Sequence, residues 1–223
     1  MLSEDEFYEK QKKLDEEIKI LWEHPFFDGI TEYELYKNEP IKLLWILKEP
    51  NGTKGGNHRE FHLNVKDYYS RWQNTYANIM IVGYGIREGI KYYSPEIFRI
   101  NKEECLIGNN EIVLDKIAII NVNKSGGGSR TPKGKMEEVY KRSGVKEFLL
   151  KQIEFIAPDI IINSHGVRQF FLDQTDGNEI TKINGEEYAI NKNRLIINTT
   201  HPNGAHRESY CNNILNIVSL WKK

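Results

Sequence analysis

The chain has 223 residues, 39% of them hydrophobic and 28% charged, with a formal net charge of −1. Such a chain buries a full core, which excludes a low-complexity disordered protein, and its charge balance excludes nucleic-acid binding through overall positive charge, so any basic surface is local. Cys105 and Cys211 make no disulfide framework, no apolar run reaches the roughly 20 residues of a membrane span, and the acidic start (residues 1–6) is unlike a signal or transit peptide.

A single domain over residues 1–223 is therefore expected, with residues 1–40 as an N-terminal helical extension. A cytoplasmic setting is expected, nucleoid-associated if the source is bacterial or phage. Residues 3–23 read as a helix. Ser3 and Glu6 have capping-box spacing, and Phe7, Leu14, Ile18 and Leu21 share one face. His24-Pro25 ends it. Residues 41–47, IKLLWIL, read as a buried strand. It runs into Lys48-Glu49-Pro50-Asn51-Gly52, a carboxylate at a strand end before a Pro/Gly-rich loop, which is one way to present an acid or base in a cleft. The glycines that follow do not have G-x-x-x-x-G-K-[ST] spacing, which excludes a nucleoside-triphosphate loop.

Residues 67–84 read as a helix with its aromatics in the core. Phe61 stands outside that periodic run, twelve residues past Glu49. His58 and His62 have the i, i+4 spacing of a metal pair, but no third ligand accompanies them, so no metal is expected. A short helix is expected at Ser94-Pro95-Glu96 and a turn at Asn109-Asn110. Residues 116–121, KIAIIN, read as a second buried strand ending in Asn121, whose amide offers both a donor and an acceptor and suits the edge of a base. Lys124, Arg130, Lys133, Lys135, Lys141, Arg142 and Lys146 then outnumber Glu137, Glu138 and Glu147. The start of this stretch, with its Gly/Ser backbone, has the donors to hold phosphates; a solvated loop is the alternative.

Residues 135–156 read as one helix, stopped by Pro158. Residues 159–163 form a third strand, followed by His165, read as structural, and a short helix carrying Phe170 and Phe171. Asn184-Gly185 marks a hairpin turn. Residues 194–198 are the fourth buried strand, and Thr199-Thr200-His201-Pro202-Asn203-Gly204-Ala205-His206-Arg207 follows. Pro202 biases His201 toward an extended conformation at the strand's end. Strands separated by helices imply an α/β fold with a mainly parallel sheet. Glu49, Asn121 and His201 would then meet along its C-terminal edge, where such sheets bind ligands.

These motifs resemble those of the uracil-DNA glycosylase superfamily. Leu47-Lys48-Glu49-Pro50-Asn51 is similar to its first strand-end motif, Phe61 is spaced like its base-stacking aromatic, Ile119-Ile120-Asn121 is similar to its base-reading strand end, and His201 to Arg207 resembles a shortened form of its last loop. The resemblance covers residues 41 to about 220 and implies one three-layer α/β/α domain with a central four-stranded sheet of order 2-1-3-4. It implies a monofunctional DNA glycosylase without metal or cofactor, acting as a monomer on single- or double-stranded DNA, away from membranes. On that footing Glu49 and His201 are catalytic. Asn121, Phe61 and Asn51 bind the base. Lys124, Ser125, Gly126, Ser129, Arg130, His206 and Arg207 hold phosphates. Glu49 replaces the family's common Asp, and Asn51 stands where the most uracil-selective members carry a Tyr that excludes a 5-methyl group. The alternatives are a non-catalytic nucleic-acid binder on the same fold and a hydrolase of free nucleosides. An α/β-hydrolase is disfavoured because no G-x-S-x-G elbow is present.

Overall fold

A computed structural model describes residues 2–52, 55–60, 73–101, 106–107, 113–128 and 130–221. Helix α1, Glu4–Leu21, starts at the expected capping box: the Glu6 N–H donates to the Ser3 hydroxyl and the Ser3 N–H to the Glu6 carboxylate. Strands β1 (Phe26–Phe27) and β2 (Gly29–Ile30), helix α2 (Tyr33–Lys37), β3 (Leu43–Leu47), β4 (Gly56–Asn57) and helix α3 (Gln73–Glu88) follow. Then come β5 (Ile100–Asn101), β6 (Leu106–Ile107), β7 (Ala118–Asn121), helices α4 (Lys135–Tyr140) and α5 (Val145–Ile156), and β8 (Ile160–Asn163). Helix α6 (Arg168–Thr175), β9 (Ile180–Ile183), β10 (Glu186–Asn191), β11 (Arg194–Asn198) and helix α7 (Arg207–Trp221) complete the chain.

The main sheet has seven strands in the order β2-β7-β3-β8-β11-β10-β9. The four strands expected from sequence, β7, β3, β8 and β11, lie side by side and parallel. Three more extend the sheet beyond the expected four. β2 pairs antiparallel with β7 at one edge, and β10 and β9 continue antiparallel from β11 at the other. The first forty residues are thus more than a helical extension, since β2 belongs to the sheet. A two-residue strand is too short to leave a periodic signal.

Side chains alternate faithfully across this sheet. Leu43, Trp45 and Leu47 with Ile119, Ile160, Ile162, Leu195 and Ile197 face a core covered by α3 and α7. Leu44, Ile46, Ala118, Ile120, Ile161 and Ile196 face a second core under α1, α4, α5 and α6. Strands buried on both faces read as unbroken apolar runs, and each large side chain so buried stabilises the fold by about 1.5–3 kcal/mol.

The helix expected over residues 135–156 is two helices, because Gly144 takes φ +80° and starts α5 afresh. Ser94-Pro95-Glu96 forms a turn rather than a helix: the Ile97 and Phe98 N–H groups both donate to the Ser94 carbonyl. Asn184 and Gly185 both have positive φ, 51° and 88°, the requirement of a tight hairpin turn. The turn at residues 109–110 and the first third of the helix expected over 67–84, residues 67–72, lie outside the described residues. Among the described residues no helix is long and apolar enough to cross a membrane.

Candidate active-site cleft

The register Leu47↔Asn121 between β3 and β7, and Asn163↔Asn198 between β8 and β11, brings the C-terminal strand ends into line. A cleft of about 450 Å³ opens at the first of these ends and is lined by Glu49, Asn51, Asn121, Arg130 and His201 among others. Five of the residues singled out from sequence thus share one cavity. Lys48, His58, Tyr76 and Thr131 also line it. Phe61 and Ser129 lie outside the described residues, as does His62.

Glu49 leaves β3 into a buried pocket, its side chain only 3% exposed. Its Oε2 accepts from Lys135 Nζ at 2.6 Å and from Asn123 Nδ2 at 3.1 Å, and its Oε1 accepts from the Thr131 hydroxyl at 3.0 Å. A carboxylate oxygen has about two acceptor sites, so Oε1 keeps one while Oε2 is filled. Gly127 passes so close that a Cβ there would lie 2.2 Å from Glu49 Cδ.

His201 caps the short 3₁₀ turn Pro202–Gly204 with φ −68° and ψ 132°, the extended conformation that the following proline favours. Its Nδ1 accepts from the Asn203 N–H at 3.2 Å. The neutral ring therefore carries its proton on Nε2, free to donate. Burial, and secondarily the nearby Lys48 cation, pushes His201 down to about 4, so it is neutral at pH 7. Asn78 on α3 holds the turn in place by donating Nδ2 to the Pro202 carbonyl at 2.8 Å.

Asn121 is 2% exposed at the cleft floor. Its backbone N–H donates to Asp28 Oδ2 at 2.8 Å and its Nδ2 to the same oxygen at 3.3 Å. Asp28 lies between β1 and β2 and is fully buried.

The expected phosphate-binding residues divide. Arg130 is exposed on the cleft wall and remains available. Lys124 does not: its side chain is 0% exposed and its Nζ is paired with Asp28 Oδ1 at 2.7 Å, between the rings of Trp22 and Phe148. The parity of β7 explains this, since positions 118, 120 and 122 face the second core and 124 continues their face. Ser125 is also committed, with its hydroxyl donating to the Glu23 carbonyl and its N–H to Asn123 Oδ1. Gly126 is half-buried beside it. His206 is exposed near Ser209. Arg207 is half-buried and braces Asn78, its Nε donating to Oδ1 at 2.9 Å.

Sequence reasoning passed over Lys48, Thr131, Lys135 and Asp28. Lys48 lies inside the first strand-end motif without a role of its own, Thr131 follows the Gly/Ser-rich stretch, and Lys135 belongs to the basic stretch. Asp28 carries no motif. His165 is structural as expected: Nε2 meets Asn163 Oδ1 at 2.8 Å and Nδ1 accepts from the Val167 N–H at 2.9 Å. No group of three or more His, Cys, Asp or Glu among the described residues is placed to hold a metal ion. Compared with known proteins, the chain matches no family model and no curated sequence.

Proposed function

We propose that this protein is a DNA glycosylase that hydrolyses the N-glycosidic bond of a uracil-like or modified pyrimidine base and leaves an abasic site. The observation that carries the reading is one cleft lined by a fixed carboxylate, an amide and a neutral imidazole N–H. The order β7-β3-β8-β11 of the four parallel strands supports the resemblance to the uracil-DNA glycosylase superfamily.

The chemistry follows from charge. A base stacked in duplex is out of reach, so it is flipped into the cleft or taken from a single strand. As the bond to the sugar breaks, negative charge grows on the base and positive charge on the sugar. His201 Nε2–H donates to the base oxygen beside the bond and stabilises the leaving anion. A neutral imidazole keeps this role down to low pH, because burial holds it uncharged. Glu49 supplies a fixed negative charge for the oxocarbenium-like sugar. Its Oε1, with one acceptor site left, orients the attacking water and receives its proton. Asn121 reads the edge of the base. Arg130 and Lys48 supply local positive charge that the overall balance of −1 lacks. Asn51, exposed at the cleft, leaves room for a 5-substituent.

A non-catalytic binder is the second reading, favoured by the Glu49–Lys135 ion pair, which offsets much of the carboxylate's charge. Alkali cleavage of labelled oligonucleotides after incubation separates the two. Excision that disappears in Asn121→Ala and His201→Ala is the result expected of a glycosylase; retained binding with no excision of any pyrimidine is the result expected of a binder.

A further inference from the structure

The buried Asp28 carboxylate accepts four hydrogen bonds from three side chains and one backbone group. Oδ2 takes the Asn121 N–H at 2.8 Å and Asn121 Nδ2 at 3.3 Å. Oδ1 takes Lys124 Nζ at 2.7 Å and Gln152 Nε2 at 3.0 Å. Lys124 Nζ also donates to the Asn121 carbonyl at 3.1 Å. The carboxylate is thus tied to the backbone of β7 on one side and to α5 on the other. Its position relative to Asn121 does not depend on the Asn121 rotamer.

An amide beside a carboxylate has one acceptable orientation. The nitrogen faces the anion, because the turned-over amide would set two acceptor oxygens against each other. Asn121 Oδ1 is then the atom left over, and it takes no hydrogen bond from any described residue. Asp28 is fully buried and does not line the cleft, so it touches no ligand; it acts through Asn121.

We infer that Asp28 is a positioning residue that locks the Asn121 amide with its oxygen open to the cleft, so that the site selects bases with an N–H at position 3. Those are the imides: uracil, thymine and 5-substituted uracils. Cytosine bases carry a lone pair at that position, and it would face Oδ1 acceptor to acceptor. Holding the base oxygen beside the scissile bond on His201 fixes the register, so a base cannot slide to offer a 4-amino group instead. The inference rests on the glycosylase reading for the identity of the ligand, but not for the lock itself.

Asp28→Asn alone would bury the Lys124 charge without a partner. The test variant is therefore Asp28→Asn with Lys124→Met, since a thioether suits the space between Trp22 and Phe148. An Asn at position 28 accepts either face of the Asn121 amide. Binding is measured with single-stranded oligonucleotides carrying non-hydrolysable 2′-fluoro-2′-deoxyuridine or 2′-fluoro-2′-deoxycytidine. The wild type is expected to prefer the uracil analogue by at least about tenfold, and the double variant to lose most of that preference, as expected when one hydrogen-bond match is exchanged for a mismatch. A merely structural role would weaken both ligands alike, and an unchanged ratio overturns the inference. So does a wild type that does not discriminate. Discrimination in binding without excision of uracil, mismatched thymine or any 5-substituted uracil supports the lock and sinks the glycosylase reading. Should the double variant not fold, the wild-type Asn121 side-chain N–H pair decides, assigned by its loss in Asn121→Ala. Protection from solvent exchange supports the lock, and free exchange overturns it.

Discussion

Gly127→Ala tests the placement of Glu49 with the smallest possible change. The new Cβ would lie 2.2 Å from Glu49 Cδ and 2.4 Å and 2.6 Å from its two oxygens. Carbon atoms in contact keep about 3.5 Å, so one partner has to give by about 1.3 Å. The backbone cannot retreat, because the Gly127 N–H donates to the Pro50 carbonyl at 2.8 Å and its carbonyl accepts from the Gly52 N–H at 3.3 Å. Glu49 moves instead and loosens its bonds from Lys135, Thr131 and Asn123. A displacement of this size at a reacting group lowers the rate about 100-fold, and a weakened charged hydrogen bond lowers stability by about 1.5–3 kcal/mol. Single-turnover excision and chemical denaturation measure the two effects. Gly128→Ala, whose Cβ meets nothing within 4 Å, is expected to lose far less. A Gly127→Ala protein that keeps its full excision rate would refute the role given to the Glu49 carboxylate.

His201 is neutral above about 4, so its Nδ1 keeps accepting the Asn203 N–H down to that value; once protonated the ring loses that bond and its placement, and excision should fall with it, while Lys48→Gln should raise this midpoint, because the Lys48 cation contributes to the depression. A pH–rate profile on both proteins checks this, and a midpoint that stays put in Lys48→Gln would remove Lys48 from the account. His58 and His165 are buried and pushed down to about 4 and about 3. Since their folded values lie below the ordinary 6.5, the unfolded chain binds more protons between those limits, and stability is lost as pH falls from about 6.5. A tenfold difference in proton affinity between the folded and unfolded chain is worth about 1.4 kcal/mol, so denaturation midpoints at pH 7 and pH 5 should differ measurably. Lys124→Ala should cost about 3–5 kcal/mol by leaving Asp28 unpaired, whereas Arg130→Ala should keep its melting temperature and weaken oligonucleotide binding with a shallower salt slope. Equal effects of the two on stability would contradict the burial of Lys124.

Glu49, Asn121 and His201 were legible because each ends an apolar strand of the sheet. Strand order then does the rest, as neighbouring parallel strands put their C-terminal ends together. The basic loop was legible only in part. Lys124 lies in a Gly/Ser-rich, positively charged stretch, and composition alone cannot distinguish it from Arg130. Counting alternation onward from Ile120 and Val122 does distinguish them, because it sends Lys124 into the core. Asp28 was not legible at all. It sits between two strands of two residues each, and its partners are 93, 96 and 124 positions away. The break at Gly144 escaped notice because the apolar spacing of Val139, Val145 and Leu149 runs through it without interruption. The helix boundary there depends on one glycine's positive φ.

The central claim is base excision. Incubating the protein with single- and double-stranded oligonucleotides that carry uracil, mismatched thymine or 5-modified pyrimidines, then cutting abasic sites with alkali, tests it directly. Strand cleavage at one or more imide bases that vanishes in His201→Ala and Asn121→Ala is the expected result. Folded protein that cuts none of these substrates would contradict it.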